Sequence, residues 1–110
     1  MSPAAESAVV VTTTLPDQTG ALELARALVE ARLAACVHVI RITSVYRWQG
    51  AVEEQAEWAC HIKTTAERAP ELCARIRSLH PYQVPEILTL PVSKADPDYQ
   101  GWVSESVRDS

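Results

Sequence analysis

The stretch that most constrains this chain runs from residue 35 to residue 65. In its second half, Val52, Glu54, Ala56, Trp58, Cys60 and Ile62 alternate with Glu53, Gln55, Glu57, Ala59, His61 and Lys63. A period of two puts successive side chains on opposite faces, so this is a strand with one packed and one wetter side. Upstream, residues 36–46 are rich in β-branched side chains and predict a second long strand. Gln49-Gly50 separates the two, and a tight hairpin turn needs a residue as permissive as that glycine. Each arm runs to about a dozen residues, against a usual strand of roughly 5–6. Such a ribbon is too long to bury both faces against a domain of 110 residues. Its outer half needs a partner chain, and oligomerisation is the first functional expectation.

One domain with a real core is expected at this length, over residues 8–110, behind a short disordered tail at 1–7. The 47% apolar and 22% charged shares are those of a folded globular protein. With no Phe, the core has to be aliphatic, supplemented by three Trp and three Tyr. A net charge of −4 without any basic block speaks against nucleic acid as a partner. No run approaches the roughly 18 apolar residues of a membrane span, so no membrane partner is expected. Residues 1–7 lack the charged and apolar regions of a signal peptide. Three cysteines, an odd number without close spacing, fit reduced thiols better than a disulfide framework, which points to the cytoplasm.

Period and punctuation place the remaining elements. Residues 8–14 are a β-branched run without alternation, as in a strand covered on both faces. Leu15-Pro16-Asp17 ends it, and Asp17 is the N-cap candidate for a helix over residues 18–33. There Ala21, Leu24, Ala25, Leu28 and Val29 lie opposite a polar stripe of Glu23, Arg26 and Glu30. In the first hairpin arm the apolar phase shifts near Arg41, and a bend or β-bulge is expected there. A second helix spans about 67–79 with Pro70 in its first turn, and His80-Pro81-Tyr82-Gln83-Val84-Pro85 stops it. Residues 86–90 make a fourth strand, and Asp96-Pro97-Asp98 opens a short C-terminal helix. The order is β-α-β-β-α-β plus one helix. Right-handed crossovers close it as an α+β, ferredoxin-like split βαβ sandwich with both main helices on one face. That fold hosts many unrelated jobs.

No catalytic signature survives inspection. Three isolated glycines make no phosphate loop, and there is no nucleophile elbow, Cys-x-x-Cys or His-Glu-x-x-His. An enzyme is not expected, because no nucleophile, base and oxyanion donor can be grouped. Glu53 and Glu57 share a strand face and read as solvated. Cys60 and Cys73 fall on apolar stripes and read as core, whereas His61, between Glu57 and Lys63, reads as solvent-facing. Cys36 and His38 stand at i, i+2 on one strand face, a sensible two-ligand pair for a metal; Cys36 also reads as a buried core cysteine.

Five segments follow one another between Val9 and Val107. They are Leu33-Ala34-Ala35-Cys36-Val37, Ile42-Thr43-Ser44-Val45-Tyr46-Arg47-Trp48-Gln49-Gly50, Ile62-Lys63-Thr64, His80-Pro81-Tyr82-Gln83-Val84-Pro85-Glu86-Ile87 and Asp98-Tyr99-x-x-Trp102-Val103. In order and spacing they closely resemble the CutA family of divalent-cation tolerance proteins. The resemblance implies a fold similar to PII signalling proteins, a tight homotrimer and a link to divalent metal tolerance, chiefly of copper. In animals it also implies an acetylcholinesterase-associated role. No organic cofactor is implied.

Copper(II) favours imidazole, thiolate and carboxylate donors in roughly square-planar sites. His80 heads the family's most characteristic motif and is the first ligand candidate; ending a helix, it equally reads as a cap for free carbonyls. The family usually has a different polar residue at position 38, so the Cys36–His38 pair is not carried over from the resemblance. Some relatives place a cysteine just before the Pro-Asp turn; here that position is Thr13, and a site built on that thiolate is absent. A second candidate is a cleft between subunits, formed by Tyr46, Trp48 and Glu54 of the hairpin with Lys63, Tyr82, Glu86 and Trp102. Aromatic bodies with polar tips suit a trimer interface and a small-ligand cleft alike. The leading expectation is a cytoplasmic homotrimer that responds to divalent metal by weakly binding Cu(II) or another divalent cation. The alternative is a PII-like trimer that senses a small metabolite in the cleft.

Overall fold

Gln49 and Gly50 both have positive φ, 49° and 82°, so the hairpin closes on two residues as a type I′ turn does. In the computed structural model, which describes residues 5–108, that turn joins β2 (Cys36–Trp48) to β3 (Ala51–Thr65). Trp48 faces Ala51, and pairing runs without a skipped residue to Cys36 opposite Lys63. The β-bulge expected near Arg41 is therefore absent. The phase shift that suggested it has another cause. Val37 and Val39 turn towards the helical core, whereas beyond Arg41 the half-buried residues are Ile42 and Ser44, on the opposite face. The ladder continues while its cover changes sides.

The remaining elements are β1 (Ala8–Leu15), α1 (Gln18–Glu30), α2 (Ala69–Leu79), β4 (Leu88–Pro91) and α3 (Pro97–Ser106). The strands form one antiparallel sheet in the order β2-β3-β1-β4, the α+β split βαβ arrangement expected from the sequence. Asp17 caps α1 as expected, its Oδ1 accepting from the Gly20 N–H at 2.7 Å. The helix stops three residues early. Arg32 adopts φ 58°, and the N–H groups of Arg32 and Leu33 donate to the carbonyls of Val29 and Leu28, a Schellman closure without its usual glycine. In β4, Glu86 and Ile87 lie outside the strand, which begins at Leu88.

Register sorts the sheet into rows. Towards α1 and α2 stand Val37–Ile62–Val11 and Val39–Cys60–Thr13. Ile62, Val11, Cys60 and Thr13 are fully buried there, in one cluster with Leu24, Leu28, Leu72 and Ile76 or beside it. The other face carries the rows Cys36–Lys63–Val10–Leu90 and His38–His61–Thr12–Leu88. Cover on that face is partial, and Val10 and Thr12 stay half-exposed, so β1 is not covered on both sides along its length as expected. α3 packs against β1 and β3, with Gln100 Oε1 accepting from the Ala8 N–H at 2.8 Å. Of the tail expected at 1–7, residues 1–4 lie outside the described residues. Residues 5–7 are tied down: the carbonyls of Ala5 and Ser7 accept from Glu67 and Ala66 at 2.9 Å. Among the described residues no helix is long and apolar enough to cross a membrane.

Candidate functional site

The candidate residues fall in two places, a groove beside the outer half of the ribbon and a polar patch on the less covered face of the sheet. The groove is built by the segment after α2. Prolines 81 and 85 prevent further helix, so residues 81–86 fold back beside β2 and β3. His80 anchors that segment. Its Nε2 bonds the Thr14 carbonyl oxygen at 2.8 Å, while its Nδ1 accepts from the Tyr82 N–H at 3.1 Å. A nitrogen that faces a carbonyl has to carry the proton, so this is the neutral ring with both nitrogens occupied. In this arrangement His80, the first ligand candidate, braces the loop against β1, and metal ligation would replace one of its two bonds.

Tyr82 follows from that brace. Its ring lies 4.9 Å from the His80 ring, and its hydroxyl donates to Glu57 Oε2 at 2.8 Å. Glu57 is only 5% exposed, not solvated as its alternation suggested. Burial first, and then the Glu57 carboxylate, hold the Tyr82 phenol above its ordinary value of 10.0. Glu86 is the second carboxylate here, with Oε2 accepting from Thr12 Oγ1 at 3.0 Å. The groove encloses about 850 Å³ and is walled on the ribbon side by Ile42, Tyr46 and Trp48. It offers a hydrogen-bonding floor and aromatic walls, suited to a small polar ligand with a flat or apolar part.

Of the expected cleft residues, one chain gathers Tyr46, Trp48, Tyr82 and Glu86 around this groove. Glu54 pairs with Val45 and so points to the other face of the ribbon. Lys63 lies at the far end of the hairpin, opposite Cys36, and Trp102 sits on α3 with its ring 5.6 Å from that of Tyr99. Sequence reasoning missed Glu57. Its i, i+2 neighbours are polar or small, and nothing local announces that a distant loop covers it.

The patch holds the other metal candidates. Cys36 stands half-buried and His38 exposed, opposite Lys63 and His61 respectively. Lys63 Nζ donates to His38 Nδ1 at 3.1 Å. The other cysteines belong to packing. Burial lifts the Cys60 thiol from 9.0 to about 11, which makes a poor thiolate donor, and Cys73 Sγ sits 3.5 Å from Thr89 Oγ1. Thr13 is fully buried, and its hydroxyl finds no hydrogen-bond partner among the described residues. No three His, Cys, Asp or Glu side chains converge as a metal cage among the described residues. The donor set of the described residues does not fit a tight multi-donor site.

Comparison with known proteins gives a consistent result. Residues 9–106 match the family model described as CutA1 divalent ion tolerance protein. The divalent-cation tolerance protein CutA of Thermus thermophilus is 46% identical over 98 residues, spanning 88% of this chain and 95% of that one. Protein CutA of mouse is 48% identical over 101 residues, but the match spans only 57% of its length. Among solved structures, one described as the periplasmic divalent cation tolerance protein CutA from Archaeoglobus fulgidus superposes with a TM-score of 0.89. It is 30% identical and covers 92% of this chain and 99% of its own.

Proposed function

This chain belongs to the CutA1 divalent ion tolerance family, and from that premise we propose that it acts as a non-enzymatic homotrimer in the cytoplasmic response to divalent metal ions, binding copper(II) weakly. The carrying observation is the sheet face turned away from α1 and α2. There Ile40, Leu88 and Leu90 remain 42%, 54% and 47% exposed, and Cys36 and His38 stand on the same face, on the edge strand opposite the one that carries the two leucines. Apolar side chains laid out on one surface favour burial against further copies of the chain. Donors on the same face, one soft and one imidazole, favour a borderline metal such as copper(II) over calcium or magnesium. The three free thiols support a reducing compartment.

The test is a calorimetric titration of the intact protein with copper(II), beside a Cys36→Ser/His38→Gln double variant. Saturable binding that weakens in the double variant is the expected outcome. Heats that never saturate and do not differ between the two proteins would overturn the metal half of the proposal. A second reading is favoured by one observation, the buried Glu57 carboxylate bonded to the Tyr82 hydroxyl on the groove floor. In that reading a small metabolite with a donor for Glu57 occupies the groove, as in a PII-like sensor. It requires that a metabolite raise the melting temperature where metals do not.

A further inference from the structure

We propose that His38 and His61 form a two-nitrogen clamp for a borderline divalent transition-metal cation on this same sheet face. The inference rests on the metal-binding reading above and names its donors. The register puts the two histidines directly opposite each other, on β2 and β3. Residues paired in this way hold their Cβ atoms about 4.5–5.5 Å apart. Cys36 and His38, two residues apart on one strand, are separated by about 6.5–7 Å along the chain direction. The cross-strand pair is therefore the closer one. Two imidazoles at that spacing can turn one nitrogen each towards a shared ion at about 2.0–2.1 Å.

The second observation is that a cation already sits against His38. Lys63 Nζ lies 3.1 Å from His38 Nδ1, and an ammonium has only protons to offer, so Nδ1 presents its lone pair. Lys63 is on β3, two residues from His61 and on the same face, so the ammonium that reaches His38 comes from the strand that carries the partner imidazole. A divalent ion that displaces the ammonium takes over a lone pair already aimed at positive charge. His80, the other imidazole in view, has both nitrogens committed and cannot compete. At the other side of His61, the row continues to Thr12, whose hydroxyl bonds the Glu86 carboxylate at 3.0 Å. That negative charge favours a cation nearby, whereas Lys63 opposes one. Removing Lys63 and removing His61 should thus shift metal affinity in opposite directions.

The experiment is a copper(II) titration of the full-length protein at pH 7.5, read by calorimetry and by the nitrogen hyperfine pattern in electron paramagnetic resonance. Wild type is compared with His61→Gln, Lys63→Gln and Cys36→Ser, each checked for a cooperative thermal melt. Even outer-shell partners of metal ligands are worth about 10–100-fold in affinity, so His61→Gln should weaken binding at least about tenfold and remove one nitrogen from the spectrum. Lys63→Gln should tighten binding several-fold, because a unit charge next to the ion is gone. Cys36→Ser should keep the nitrogen pattern. Copper bound equally well by His61→Gln overturns the clamp and leaves the broader metal reading intact. Absence of saturable binding in every protein overturns both.

Discussion

The two faces of the sheet are made by the same strands, often by adjacent residues, yet they end in opposite states. Val11 and Ile62 are fully buried under α1 and α2, while their sequence neighbours Val10 and His61 stay half-exposed on the other side. Leu88 and Leu90, aliphatic like the core residues, stand largely in water. Composition does not separate the faces, for both carry valine, leucine and isoleucine. What separates them is cover. Both main helices go to one side, while on the other Glu57, Ala59 and Thr14 are buried but Ile40, Leu88 and Leu90 are left exposed. A sandwich needs two covered layers. This chain supplies one of them fully, and we read the other as the place where further copies and the metal meet.

The largest effect that can break this contrast comes from matched truncations. Ile62→Ala on the helix side should cost about 2–5 kcal/mol in urea unfolding. Leu90→Ala on the open side should stay within about 1 kcal/mol when measured at a protein concentration low enough to keep chains apart. Equal losses would mean that both faces are already packed within one chain. Next in size is Tyr82→Phe, which leaves the buried Glu57 carboxylate without its hydroxyl donor and should cost about 1–3 kcal/mol. An unchanged melting temperature would show that Glu57 is solvated after all. Smallest is Thr13→Val, close in shape, which removes a buried hydroxyl that has no partner among the described residues. It should raise stability by about 1 kcal/mol. A loss instead would reveal a hydrogen bond to Thr13 in solution.

The fold was readable because each element carried its own period and its own punctuation. The alternation from Val52 to Lys63 and the Gln49-Gly50 turn were enough to place the ribbon. The errors came where the deciding contact is distant or atypical. α1 was expected to reach Leu33 because an arginine, not a glycine, takes the positive φ that ends it. The bulge near Arg41 was inferred from a change of phase that comes from two different covers, the helices and the 81–86 loop. Glu57 was misjudged for the same reason. The pairing of His38 with His61, by contrast, is legible in the sequence. A two-residue turn at 49–50 puts Trp48 opposite Ala51, and counting back along both arms puts His38 opposite His61. Reading within one strand groups Cys36 with His38, and a cross-strand pair shows only once the register is followed.

The most direct test of the central claim, that the open sheet face is an assembly surface, is sedimentation velocity of the wild-type protein at micromolar concentration beside Ile40→Lys. A single wild-type species at three times the 12.1 kDa chain mass, falling apart when a charge is placed at Ile40, is the result this account predicts. A wild-type protein that sediments as a 12.1 kDa monomer would contradict it.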